Sequence, residues 1–184
     1  MLTGFMATGK SVVGGSLADA LGYGFVDTDS VIEERHGPIE EIFRTLGEGA
    51  FREMERELAN ELAAMHGVVI ATGGGMLLND EVASLLGSVS RIFCLTAEPE
   101  EILRRVEEQA SPERPLLAGS RQADKIAALL ASRAAAYARF EQVPTDGRSI
   151  EEIVGDILGR VGTTPASASR RGAAGPPEGR TNSS

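Results

Sequence analysis

Residues 4–11 read GFMATGKS, so that Gly4, Gly9, Lys10 and Ser11 fit G-x-x-x-x-G-K-[ST]. Each residue type in that frame has a reason. Glycines allow a tight loop whose backbone N–H groups surround phosphate oxygens, the lysine neutralises β/γ charge, and the serine hydroxyl is a ligand for Mg²⁺. The stretch after the loop, Lys10 to Leu21, has helical spacing. Its N-terminus adds positive potential where the phosphates would sit. A glycine-rich turn without a ligand is the competing reading. Only Met1 to Thr3 precede the loop, so the first strand is short, either because the start lies upstream or because the edge is trimmed. Gly14 and Gly15 should each cost the helix up to about 1 kcal/mol relative to alanine, unless they allow close packing on a sheet.

Outward from this loop, the runs YGFVDTD (23–29), GVVIATGGG (67–75), SRIFCLTA (90–97) and EQVPTD (141–146) read as strands. Helical stretches alternate with them: Ile39–His66 as one or two helices, then Pro99–Glu107, Arg121–Phe140 and Ser149–Val161. That alternation implies an α/β fold, a parallel sheet wrapped by helices, with ligands bound at the strand ends. EEQASPERPLLAGSRQ, residues 107–122, lacks periodicity and reads as a connector or a mobile lid. Residues 162–184 are small, polar and rich in proline and glycine, the composition of a disordered tail beyond a folded unit spanning 1–161.

The 184 residues carry a net charge of −9, which argues against a general nucleic-acid binder. Cys94 is the only cysteine, in an apolar run that suits a buried, inert thiol and a reducing compartment. No membrane span or signal peptide is visible, and a cytoplasmic monomer is expected.

Three further features point to what receives a phosphate. Asp27 and Asp29 flank Thr28 at a strand end. They can serve a Mg²⁺ water shell and an acceptor hydroxyl, or can cap the helix that follows. In GEGAFREMERE, Arg52 and Glu55 stand three apart on one helical face. The glutamate can aim the guanidinium without filling its fork, which suits a carboxylate; a solvated surface pair is the plainer reading. Thr72-Gly73-Gly74-Gly75 brings side-chain-free backbone to the sheet edge, as close approach of a ligand requires. Together they describe a small, anionic, polyhydroxylated acceptor.

The ordered set GFMATGKS, DTD, GEGAFREMERE, TGGG, RPLL and R-x-x-x-Y in RAAAY resembles the shikimate kinase family over residues 1–161. The resemblance implies the nucleoside monophosphate kinase fold, a five-stranded parallel sheet in 2-3-1-4-5 order with a mobile lid, and ATP-dependent phosphorylation of the 3-hydroxyl of shikimate. It implies that Gly4, Ala7, Thr8, Gly9, Lys10, Ser11 and Val12 bind the nucleotide, and that Ser11 and Asp27 hold Mg²⁺. Asp29 would be the base and would bind the acceptor hydroxyls. Arg52 and Arg133 would clamp the carboxylate beside Gly73, Gly74 and Gly75, and Arg114 would close over the phosphates. Phe43 and Phe51 would wall the pocket or pack in the core. Arg105 and Arg148 are candidates for the adenine. Two positions depart from the family loop: Ala7 replaces a glycine and Val12 a threonine. A kinase for another hydroxylated acid such as gluconate, or a silent nucleotide- or shikimate-binding module, are the alternatives; Lys10, Asp29 and Arg114 are all present, which speaks against the second.

Overall fold

The computed structural model describes residues 1–108 and 122–162. In chain order the elements are β1 (Leu2–Gly4), α1 (Lys10–Leu21), β2 (Gly24–Asp27), α2 (Thr28–His36), α3 (Ile39–Thr45) and α4 (Gly47–Ala63). There follow β3 (Val68–Ala71), a 3-10 turn (Met76–Leu78), α5 (Asp80–Val89), β4 (Phe93–Thr96), α6 (Pro99–Glu108), α7 (Gln122–Tyr137), β5 (Glu141–Pro144) and α8 (Ile150–Val161). The strands form one sheet in the order β2-β3-β1-β4-β5, and every pairing is parallel. This is the order that the resemblance implies. The lid expected at 107–122 and the tail at 162–184 fall almost wholly outside the described residues.

β1 is central although it is three residues long. Leu2 faces Ala71 on one side, and Leu2, Thr3 and Gly4 face Phe93, Cys94 and Leu95 on the other. The ladder runs past the strand on both sides: Phe93 N–H donates to the Met1 carbonyl (3.0 Å) and Thr72 N–H to that of Leu2 (2.9 Å). A sheet so placed must be covered on both faces. On one face α1 and α8 pack Val13, Leu17, Ile153 and Ile157 over Leu2, Val69 and Leu95. On the other, α4 and α5 bring Phe51, Leu58, Leu62 and Leu86 together with Ile70, while Ile102 of α6 and Ile126 of α7 join Phe5 and Cys94. Successive residues Val69 and Ile70 thus serve opposite layers, as strand alternation requires. Burial pushes the Cys94 thiol up to about 11, in keeping with an inert residue.

Three local readings are refined. The stretch 39–66 forms two helices, broken where Gly47 takes φ 81. The strand-and-helix reading names no helix between β3 and β4, yet α5 lies there. Its signal is Asn79, whose side chain accepts from the N–H groups of Glu81 (2.9 Å) and Val82 (3.2 Å), followed by buried Val82 and Leu86 four apart. The two helical glycines differ. A methyl at Gly14 would press on the Phe25 ring, so this glycine does allow close packing, whereas Gly15 meets nothing within 4 Å.

Candidate active site

The nucleotide loop turns directly from β1 into α1. A Cβ at Gly4 would overlap the Leu95 carbonyl oxygen, and Gly9 takes φ 91, so both glycines are required by geometry. Ala7 adopts φ 60, the left-handed conformation that glycine tolerates and alanine resists. This is the structural cost of the alanine that departs from the family loop. Thr8 Oγ1 and Lys10 Nζ both donate to the Phe5 carbonyl at 2.8 Å, fixing the loop's curvature. α1 begins at Gly9 without a side-chain cap, which leaves its first N–H groups to an anion. Val12, one residue beyond Ser11, is 58% exposed.

Ser11 Oγ donates to Asp27 Oδ2 at 2.5 Å, joining α1 to the end of β2. The other oxygen of Asp27 accepts from the N–H groups of Asp29 (3.1 Å) and Ser30 (3.4 Å) at the start of α2. Asp27 therefore caps the helix with one oxygen and faces Ser11 with the other. Asp29 has its carboxyl held above the usual carboxylate range, first by burial and then by the nearby charge of Asp27.

The glycine triplet makes room for a different side chain at each position. A Cβ at Gly73 would overlap Oδ1 of Asp29 and stand 3.3 Å from Oε1 of Glu55. At Gly74 it would lie 3.6 Å from Arg133 Nη1 and 3.8 Å from the Tyr137 hydroxyl, which donates to the Gly74 carbonyl at 2.7 Å. At Gly75 it would come 2.5 Å from Arg52 Nη1 and 2.9 Å from Nη2. Asp29, Arg133 and Arg52, three residues expected to share an acceptor site, thus converge on one tripeptide. Sequence reading omits the residue that holds the tripeptide: Gly73 N–H donates to Oγ1 of the fully buried Thr28 at 2.7 Å, across 45 residues. A hydroxyl between two aspartates at a strand end was its only sequence signal.

Arg52 is aimed as its spacing from Glu55 predicts. Glu55 Oε2 accepts from Nη1 at 2.7 Å, and Glu55 is only 2% exposed. Burial raises the Glu55 pKa against the pull of Arg52. The guanidinium lies 5.4 Å from the Phe51 ring, which in turn meets Phe43 at 4.9 Å between centroids. Phe51 belongs to the core, while Phe43 is 36% exposed. A cavity of about 320 Å³ opens beside Arg52, Glu48, Glu55, Gly75 and Asn79. Arg133, beside Gly74, has its guanidinium 5.6 Å from the Phe5 ring.

Both adenine candidates have their forks engaged by protein. Arg105 reaches Glu101, the Ala7 carbonyl (3.3 Å), and Thr145 through both its hydroxyl (3.0 Å) and its carbonyl (3.1 Å). Arg148 donates to the Pro144 and Glu152 carbonyls at 3.0 Å and to Asp156 at 3.1 Å, turning toward α8. Arg114 lies outside the described residues.

A shikimate kinase family model matches residues 6–161. The chain belongs to the shikimate kinase family. A shikimate kinase from Geobacter sulfurreducens is 43% identical over 159 residues, 85% of this chain and 87% of that relative. The shikimate kinase from Acinetobacter baumannii, solved in complex with shikimate, is 31% identical at a TM-score of 0.81, covering 87% of this chain and 90% of the other. A gluconokinase from Sinorhizobium meliloti is 20% identical at a TM-score of 0.60 over 88% and 89% of the two chains, a likeness of fold alone. Membership makes the chain a phosphotransferase that uses ATP, and the loop at 4–11 its P-loop. Among the described residues no helix is long and apolar enough to cross a membrane.

Proposed function

We propose that this chain transfers the γ-phosphoryl group of ATP to the 3-hydroxyl of shikimate, giving shikimate 3-phosphate and ADP on the chorismate route to aromatic amino acids. The observation that carries this reading is the convergence of Asp29, Arg133 and Arg52 on Gly73, Gly74 and Gly75. One carboxylate and two guanidiniums around bare backbone fit a small acid bearing several hydroxyls.

Phosphoryl transfer asks the protein for position and charge neutralisation. The backbone from Gly4 through Gly9 cradles the phosphates, with Ala7 and Thr8 shaping the turn, and Lys10 neutralises the transferring group. Val12 lies beside the α-phosphate, where it offers no hydroxyl. Arg52 and Arg133 fix the acceptor by its carboxylate and so present the 3-hydroxyl to Asp29. As the hydroxyl oxygen bonds to the γ-phosphorus and the bond to the β-phosphate oxygen breaks, the hydroxyl proton passes to Asp29. Burial raises the carboxyl's basicity for that step. Arg114, which lies outside the described residues, would supply further positive charge to the transferring group. The adenine is left to the loop following β5, whose shape Arg148 holds.

Mg²⁺ fits the residues present. It commonly takes one or two protein oxygens and completes its shell with water and phosphate, and Ser11 Oγ and Asp27 Oδ2 already lie 2.5 Å apart at the phosphate end. Among the described residues there is no group of three or more His, Cys, Asp or Glu that could hold a metal without those other ligands. When bound, the ion would screen the β/γ charge, with Ser11 and Asp27 holding it. The enzyme works as a cytoplasmic monomer, without nucleic acid or membrane as partner.

A coupled ADP-release assay with shikimate and gluconate as alternative acceptors tests the reading. Turnover dependent on shikimate, small with gluconate and lost in Lys10→Ala, is expected. Turnover with shikimate no better than in Lys10→Ala would leave only a binding module.

A further inference from the structure

Arg52 can offer a carboxylate two edges of its fork, and both are accounted for in the structure. The end edge, between Nη1 and Nη2, faces Gly75, where a methyl would come 2.5 and 2.9 Å from the two nitrogens and 3.0 Å from Cζ. The bare Gly75 backbone stands beside that edge and lines the cavity with it. The side edge, Nε with Nη2, is occupied by Glu48, whose Oε1 accepts from Nε at 3.2 Å and from Nη2 at 2.8 Å. Glu55 takes the remaining outward nitrogen, Nη1. The side edge, which offers a carboxylate two parallel donors, is thus the one Glu48 holds beside the cavity.

We propose that Glu48 is an internal stand-in for the acceptor's carboxylate: it occupies the side edge of Arg52 when the site is empty, is displaced when the acceptor binds, and thereby tempers the affinity for an acidic acceptor. This rests on the reading of Arg52 as a carboxylate clamp. The two glutamates on the fork are not equivalent. The Glu55 side chain is 3% exposed and held in place, whereas that of Glu48 is 65% exposed and borders the cavity beside Arg52. A displaced Glu48 is readily rehydrated and stays in the first turn of α4, where the helix dipole favours an anion. A neutral acceptor gains too little from Arg52 to displace the glutamate, so only an acid makes the exchange and bears its cost.

The test is Glu48→Gln, which keeps the side chain's size and removes its charge; thermal melting checks that the fold is intact. Binding of shikimate and of its methyl ester is titrated calorimetrically, and KM and kcat for shikimate are measured at saturating ATP. An exposed pair of this kind is worth little, so shikimate should bind about two- to fivefold more tightly, with the change in KM rather than kcat. The ester, which lacks the charge, should gain nothing. Unchanged or weaker shikimate binding overturns the proposal, and so does an equal gain for the ester. If the unsubstituted chain neither binds nor phosphorylates shikimate, the functional reading has failed instead.

Discussion

A methyl group at Gly73 would overlap Oδ1 of Asp29. The glycine therefore sets where the proposed base can lie, since any side chain there must push the Asp29 carboxylate aside. Gly73→Ala should lower kcat/KM for shikimate by about 100-fold, the scale of a displacement near 1 Å at a reacting group. ATP affinity should hold, because the nucleotide loop lies on another strand. Nucleotide titration beside steady-state kinetics checks this; near-normal turnover in Gly73→Ala would remove Asp29 from its assigned place.

Asp29 itself links rate to stability. Its folded pKa is raised by burial and by Asp27, so the native state binds this proton more tightly than the unfolded chain does. Stability from this group is then fully present below the unfolded carboxyl pKa and is lost as pH rises through the raised folded value. Asp29→Asn, which cannot ionise, should cut turnover by roughly 10²- to 10⁴-fold. It should also be more stable than the parent at neutral pH. That advantage should shrink as pH falls toward the ordinary aspartate value of 3.8. Denaturant melts of both proteins from pH 4 to 8 decide the matter, and a parallel offset at every pH would exclude the linkage.

Thr28 does for Gly73 what a hinge pin does for a plate. Thr28→Val preserves shape but leaves the buried Gly73 N–H without its acceptor, at a cost of about 1–3 kcal/mol. The freed glycine should raise KM for shikimate more than KM for ATP. Thr28→Ser, which restores the oxygen, should recover most of both losses. If valine and serine behave alike in urea melts and kinetics, the bond contributes nothing.

What could be read from the sequence depended on how far each cause extends along the chain. α1 was legible to the residue because both ends are local: Gly9 and Gly22 take left-handed conformations at either side of it. Strand order was not a matter of pattern, because alternation along β3 says which residues face which layer and nothing about its neighbours; the order came from the family resemblance. In the site, the residue types were legible and their relationships only partly so. Glu48 and Glu55 stand at helical spacings of four and three from Arg52, and spacing alone gives them equal claims. Burial, a property of the assembled layers, makes one a fixed support and leaves the other free to exchange. Thr28 was missed because its partner is 45 residues away. α5 carries a local start signal in Asn79, but its ten residues stand between two apolar strand runs and add no strong pattern of their own.

Three small residues in and after the nucleotide loop give opposite expectations from one conformational rule. Ala7 holds φ 60, which costs a residue with a Cβ about 1–2 kcal/mol. Ala7→Gly relieves that strain but returns about 0.4–1 kcal/mol of freedom to the unfolded chain. The net should lie between no change and a gain of about 1.6 kcal/mol, unlike the loss expected for glycine in a regular helix. Gly15 is helical with nothing within 4 Å of a prospective Cβ, so Gly15→Ala should stabilise by up to about 1 kcal/mol. In a chain of this size that is a rise of roughly 2–4 °C in Tm. Gly4 combines φ 136 with a Cβ position inside the Leu95 carbonyl, and Gly4→Ala should therefore lose nucleotide binding and much of the fold's stability together. Calorimetric melts of the three variants should place Gly15→Ala and Ala7→Gly at or above the parent and Gly4→Ala below it. A clear loss of stability in Ala7→Gly would mean that the alanine at this turn is held by contacts worth more than its backbone strain.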